Sequence, residues 1–218
     1  DRIDIAYSMT RQVGGISGTP GIERGLREGT PRPVESGGVM VTPKDQVKPG
    51  VAPVKITDWT NFQISLRLMG GAFNVPFMPT RSGLGSDIAK FNTEMKEISD
   101  PFENKPLILI PAYKPDVAFI SVQRADRRGN CQIWGFKGTD QWKARAAKHV
   151  VLLTEELVPT EKIYENPGLT VIPAYCTDAV VHLPFNCLPS GCFGGYQGDS
   201  LSFVAHLLQR QSREGALQ

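Results

Sequence analysis

Apolar and polar positions follow two different rhythms along this chain, and the rhythms divide it into helices and strands. The clearest helical rhythm runs through residues 60–73. Phe62, Leu66, Met69 and Phe73 stand at i, i+4, i+7 and i+11, one apolar stripe at helical period. Asp58 or Thr60 can cap this helix, because either side-chain oxygen can accept from free N–H groups of the first turn. Val54 and Ile56, just before it, suggest a short strand. Gly70 and Gly71 weaken the helix interior by roughly 1 kcal/mol each relative to alanine. Close packing against a sheet is the simplest reason for them. Pro76 and Pro79 then end the helix and force an extended segment.

Elsewhere the apolar positions are continuous. Residues 107–110 and 117–123 are two such runs, and 149–155 and 178–184 are two more. Unbroken apolar runs fit strands covered on both faces by helices. Residues 126–130 make a polar turn, from which 131–134 return as a strand. Thr139 or Asp140 caps a helix through about residue 148, with Ala144, Ala146 and Ala147 as small packing residues. Residues 87–97 form a polar, partly helical connector. A strand is expected at 3–8, a short helix at 22–28 and a closing helix at 201–211. Residues 14–50, rich in Gly, Pro and charge, are expected to be loop and mobile. Strands alternating with helices predict an α/β fold: a largely parallel open sheet with helices on both faces. In such sheets ligands bind where loops leave the carboxyl ends of strands.

Composition narrows the function classes. The chain has 218 residues, 40% apolar and 21% charged, which fits an ordinary globular protein of one or at most two domains. A net charge of +2 with scattered Lys and Arg argues against a nucleic-acid surface. No run is long or apolar enough to span a bilayer, and the first residues lack a signal-peptide layout, so a cytoplasmic location is expected. Four cysteines stand at 131, 176, 187 and 192 without a Cys-x-x-Cys pair, and His149, His182 and His206 do not group with them. No metal site is expected from that spacing. Cys192, between glycines, is the candidate if a cysteine is a nucleophile; a buried, inert thiol is the commoner case.

The stretch with the most suggestive chemistry is residues 81–87, Arg-Ser-Gly-Leu-Gly-Ser-Asp. Glycines let backbone approach a ligand, Ser82 and Ser86 offer hydroxyls, and Arg81 offers a fork of donors for carboxylate or phosphate. It is neither a P-loop nor a dinucleotide fingerprint. A plain turn has the same composition.

At residues 184–196, Pro-Phe-Asn-Cys-Leu-Pro-Ser-Gly-Cys-Phe-Gly-Gly-Tyr, the sequence resembles the α subunit of family I CoA-transferases of the glutaconate CoA-transferase type. That family carries Pro-x-Gly-Ala-His-Pro-Ser-x-Cys-x-Gly-x-Tyr here. Pro184, Pro189, Ser190, Cys192, Gly194 and Tyr196 keep the pattern. Pro115-Asp116-Val117-Ala118, Gln123, Gly129, Ile133-Trp134-Gly135, Thr154-Glu155-Glu156, Thr177-Asp178-Ala179 and Val75-Pro76-Phe77-Met78-Pro79 resemble it too. The likeness covers roughly residues 55–200. Asn186-Cys187-Leu188 departs from Gly-Ala-His, and the family's opening βα units have no counterpart in this chain.

The resemblance implies a single CoA-transferase-like α/β domain over 1–218. It implies a ping-pong exchange of CoA between an acyl-CoA and a carboxylic acid through a glutamyl-CoA thioester. The nucleophilic Glu belongs to the β subunit, so no catalytic residue is expected in this chain. The implied partner is that β subunit, in a hetero-oligomer of α2β2 or larger. Coenzyme A is a co-substrate, with no tightly bound cofactor. Arg81, Ser82, Gly83, Gly85 and Ser86, with Ser190 and Tyr196, are the implied substrate-binding residues. Two alternatives remain open. One is an α-like subunit of a CoA-dependent ring-opening hydrolase, which needs a carboxylate at the start of the helix; this chain reads Thr60-Asn61-Phe62-Gln63 there. The other is a non-catalytic subunit that only binds a partner.

Overall fold

The computed structural model describes residues 34–36, 56–188, 190–199 and 201. The strand expected at 3–8, the helix at 22–28, and most of both the 14–50 stretch and the closing helix lie outside the described residues. Chain contacts gather into two compact units, Asp1–Phe119 with Gly138–Val150, and Ile120–Lys137 with Val151–Gln218. Among the described residues no helix is long and apolar enough to cross a membrane.

In the first unit β1 (Val34–Ser36) pairs in parallel with β2 (Ile56–Asp58). Helix α1 (Asn61–Ala72) follows. Thr60 is its cap, in a reciprocal capping box with Gln63. The helix is where periodicity placed it, but its buried face is not the apolar stripe. Gln63, Arg67, Leu68, Gly70 and Gly71 are buried, while Phe62 and Phe73 are 59% and 55% exposed. Residues 63, 67 and 70 share the helical spacing of the stripe, rotated by one position. Arg67 can face inward because its charge is met on every side. Its guanidinium lies 4.0 Å from the Trp59 ring centroid and 5.2 Å from that of Tyr113. It donates to the Pro111 carbonyl at 3.0 Å and pairs with Glu94 at 3.6 Å.

The two glycines do allow a close approach. A Cβ on Gly71 would stand 2.1 Å from the Tyr113 carbonyl oxygen, and one on Gly70 would stand 3.0 Å from the Ala112 Cβ. The sheet beside α1 contains β3 (Phe77–Thr80), β4 (Lys96–Ser99) and β5 (Pro106–Pro111), ordered β3-β5-β4 and antiparallel throughout. Helix α2 (Asp87–Phe91) is the ordered part of the polar connector. Trp59, Met95, Ile108 and Ile110 form the core here. Helix α3 (Asp140–Ala146) packs on α1, with Trp142 edge-on to Phe73 at 5.3 Å.

A five-stranded sheet is built from β6 (Val117–Asp126), β7 (Cys131–Gln132), β8 (His149–Val158), β9 (Thr170–Ile172) and β10 (Ala179–His182). Its order is β10-β8-β6-β7-β9. The α/β class stands, but the strands are not largely parallel: the β3-β5-β4 sheet is antiparallel and the five-stranded sheet is mixed. β10 runs parallel to β8, whereas β7 is antiparallel to both β6 and β9. The reason is local: the tight 126–130 turn, with Asp126 accepting from the Arg128 and Asn130 N–H groups, sends β7 straight back along β6. Helix α4 (Thr160–Tyr164) and β9 carry too few residues to show a period, and sequence rhythm missed both. β10, expected as a core strand, is an edge strand with three of its four residues exposed.

The contact at Gly71 gives a first test. Gly71→Ala should destabilise the fold by about 1–3 kcal/mol through overpacking, and by more than Gly70→Ala. Urea unfolding of the two variants side by side measures the difference. Equal midpoints would mean that α1 is not held against residues 112–113.

Candidate functional site

In the first unit the structure builds the 81–87 segment as an ordered loop fixed from below by α1. Gln63, fully buried, does the fixing. Its Oε1 accepts the Thr60 N–H at 2.9 Å, and its Nε2 donates to the Ser82 carbonyl at 2.8 Å and lies 3.8 Å from the Met95 sulfur. The Ser82 hydroxyl meets the Thr60 hydroxyl at 3.3 Å, and the Ser82 N–H donates to Thr80 Oγ1. Ser86 turns inward, donating its hydroxyl to the Gly83 carbonyl at 2.7 Å. Gly83 and Gly85 both take left-handed backbone, with φ of 91° and 70°. Gly83 also has no room for a Cβ, which would lie 2.8 Å from Gln63 Nε2.

Arg81 points elsewhere. Its guanidinium pairs with Glu103 at 3.4 Å and Asp100 at 3.7 Å, so it is balanced locally. The hydrogen bond from Lys105, and then that from Arg81, holds the exposed Glu103 carboxyl below its ordinary range. The five first-unit candidates thus share one loop: Gln63 holds the Ser82 carbonyl, Thr60 meets the Ser82 hydroxyl, the Gly83 carbonyl takes the Ser86 hydroxyl, and Arg81 is paired with acids of the β4–β5 connection.

Ser190 and Tyr196 belong to the second unit, in the segment after β10. Glu155 on β8 organises that segment. Its Oε1 accepts the Tyr196 hydroxyl at 2.5 Å and the Asn186 amide at 2.9 Å; its Oε2 accepts the Phe185 N–H at 2.5 Å. Tyr196 in turn accepts the Cys187 N–H at 3.0 Å. Phe185 has φ of 61°, a left-handed conformation that strains a bulky residue, and the bond to the carboxylate compensates it. Residues 192–196 close a tight hairpin through paired backbone bonds. Ser190 is half-buried between these parts. Burial pushes the Tyr196 phenol well above its usual value, and its bond to Glu155 pushes it further.

Gln63 and Glu155 are the residues that sequence reasoning missed as site-forming groups. Gln63 carried a signal, the capping-box position three residues after Thr60. Glu155 carried its place in the 149–155 run and in the Thr154-Glu155-Glu156 motif, neither of which marks it as a group that holds a distant segment. Cys192, the thiol singled out by spacing, is 4% exposed and has no histidine in its group; Glu155 and Cys187 stand beside it.

Comparison with known proteins puts this arrangement in context. Residues 52–183 match the family model described as Coenzyme A transferase. One of the subunits of the 3-oxoadipate CoA-transferase of Pseudomonas knackmussii is 33% identical over 70% of this chain and 53% of that protein. The corresponding polypeptide of the glutaconate CoA-transferase of Acidaminococcus fermentans is 30% identical over 66% of this chain and 50% of that protein. The crystal structure of that organism's glutaconate coenzyme A-transferase matches with a TM-score of 0.64 at 29% identity, covering 66% of this chain and 51% of its own. A cholesterol ring-cleaving hydrolase IpdA subunit of Rhodococcus jostii is 27% identical over 60% of this chain and 47% of that protein. The chain spans about half the length of the curated relatives it matches.

Two expected outcomes follow from the geometry. Gln63→Glu replaces the donor facing the Ser82 carbonyl with an acceptor and should cost about 1–3 kcal/mol at neutral pH. A protonated acid can still donate, so its folded pKa is raised; the penalty should shrink as pH falls through that raised value and reach its minimum below the unfolded value of about 4.3. Urea unfolding of both proteins across pH 3–7 reads this; a pH-independent gap would contradict the donor role. Tyr196→Phe removes a hydrogen bond to a carboxylate and should cost about 1.5–3 kcal/mol. Because the folded phenol's pKa is raised, that contribution is constant below about pH 10 and is lost only above it.

Proposed function

This chain belongs to the coenzyme A transferase family, and from that premise we propose that it is one subunit of a two-subunit enzyme that moves CoA between an acyl-CoA and a carboxylic acid. The observation that carries this reading is the family match over residues 52–183, shared with proteins named as individual subunits of such enzymes. The attacking group is a glutamate of the partner subunit. Its carboxylate adds to the acyl thioester carbonyl and CoA thiolate leaves, forming a mixed anhydride. The thiolate then attacks the glutamyl carbonyl and releases the first acid, leaving a glutamyl-CoA thioester. A second acid takes the CoA by the reverse steps. Each addition builds negative charge on a carbonyl oxygen.

This chain's work is to bind the acyl substrate and meet that charge. Ser82, Ser86, Gly83 and Gly85 suit it because donors on a loop held by hydrogen bonds need little reorganisation when the charge develops. Ser190 and Tyr196 are the corresponding candidates of the second unit. Arg81 becomes available to a substrate carboxylate only by leaving Asp100 and Glu103. Coenzyme A acts as a co-substrate, and the partner assembles with this chain as a hetero-oligomer.

The ring-opening hydrolase is the weaker reading. It calls for a carboxylate at the start of α1, and the first turn of α1 has no acidic residue. Gln63 there both donates and accepts, which an ionised carboxylate cannot do.

The test is mass spectrometry of the native complex after incubation with a panel of acyl-CoAs, with borohydride trapping of the thioester. The expected result is a CoA-sized adduct on a partner glutamate before borohydride, reduction of that glutamate to the alcohol with release of CoA after it, and neither change on this chain. Ser82→Ala should lower kcat by up to about a hundredfold with assembly intact. Release of ring-opened product without an acceptor acid would transfer the assignment to the hydrolase, and full activity in Ser82→Ala with Ser86→Ala would make the loop scaffold only.

A further inference from the structure

The second unit contains a donor set that acyl transfer does not use. Glu155, Cys187 and Cys192 each offer one ligand atom, and those atoms all lie within 4.8 Å of one another. They come from two places in the chain: Glu155 from β8, and the two thiols from the segment that follows β10. Asn186 Oδ1 is a fourth donor atom nearby, 3.8 Å from the Cys187 sulfur. We propose that Glu155, Cys187 and Cys192 form a binding site for a thiophilic divalent cation of the zinc class, which ties the 185–196 segment to β8.

Three observations support it. The donor chemistry is selective: two sulfurs and one carboxylate favour a soft or borderline ion over magnesium or calcium. The size is close. Around a tetrahedral ion with bonds of about 2.3 Å to sulfur and about 2.1 Å to oxygen, ligand atoms sit about 3.5–3.8 Å apart. The present spacing, within 4.8 Å, exceeds that by no more than about 1 Å. The outer shell is already built. Tyr196 and Asn186 both donate to Oε1, which fixes the carboxylate plane, while Oε2 accepts from the Phe185 N–H and keeps a further lone pair for an ion. As each sulfur–metal bond forms, the thiol proton passes to solvent; nothing is oxidised or reduced.

Sequence spacing could not show this site, because Cys187 and Cys192 are five residues apart and Glu155 comes 32 residues before the nearer one. The proposal is independent of the acyl-transfer reading, and either can fail alone.

The experiment titrates the purified protein, reduced and metal-free and with any co-purifying partner retained, with Co2+ alone. One equivalent should give the near-ultraviolet thiolate-to-cobalt band of two sulfurs and the visible bands of a tetrahedral ion, both abolished by Zn2+. Cys187→Ser and Cys192→Ser should each halve the near-ultraviolet band, and Asn186→Ala should weaken uptake about 10–100-fold. Cys176→Ser should leave the spectrum unchanged. A spectrum without thiolate bands, or one lost equally in Cys176→Ser, overturns the site. Alkylation mapping of the unmutated protein decides the matter if the serine variants do not fold. Zn2+ must then protect the half-buried Cys187 while Cys176 stays reactive, and equal labelling of Cys187 with and without Zn2+ overturns the proposal.

Discussion

The buried guanidinium of Arg67 sets the rotation of α1, and most of the first unit follows from that rotation. A lone charge inside a protein is costly, and it is tolerated only where partners meet it. Here the faces of Trp59 and Tyr113, the Pro111 carbonyl and the Glu94 carboxylate do so. With Arg67 turned inward, Gln63 one turn earlier comes under the serine-glycine loop, and Gly70 and Gly71 one turn later come against residues 112–113. The same rotation carries Phe62 and Phe73 outward, while Leu66 between them stays packed against the core. An apolar side chain at position 67 would satisfy burial more simply, but it would leave the Pro111 carbonyl without this donor.

Both candidate loops are built on one plan. A single polar side chain on a regular element reaches into an irregular segment and ties it to that element. Gln63 on α1 holds the loop of Ser82 through its amide donor, while its oxygen accepts the N–H of the helix's own cap residue, Thr60. Glu155 on β8 holds the segment of Tyr196 through acceptors alone. The choice of amide in one place and carboxylate in the other matches what faces them: a carbonyl and an N–H in the first case, only donors in the second. Loops held in this way can present groups to a substrate with little conformational entropy left to lose.

Local sequence was enough to specify the elements that are long enough to display a period. Helix α1 with its Thr60 cap, the apolar strands β5, β6 and β8, and the turn at 126–130 were all legible, because propensity, capping and alternation act over a few neighbouring residues. The matched motifs also pointed to the coenzyme A transferase family without any coordinates. What periodicity cannot supply is phase. Phe62 and Arg67 lie on equally regular helical rows, and only the position of Trp59, Glu94 and Tyr113 in space decides which row is inside. Strand pairing was undetermined for the same reason where the strand is short and no tight turn precedes it: β9, three residues long, takes its partner from the sheet, whereas the return of β7 is set locally by the 126–130 turn. The partners of Arg81 and the meeting of Glu155 with Tyr196, 41 residues apart, likewise emerge only in the folded chain. Contacts of that separation leave no mark on the local pattern of a chain, because each partner's own surroundings would look the same without the other.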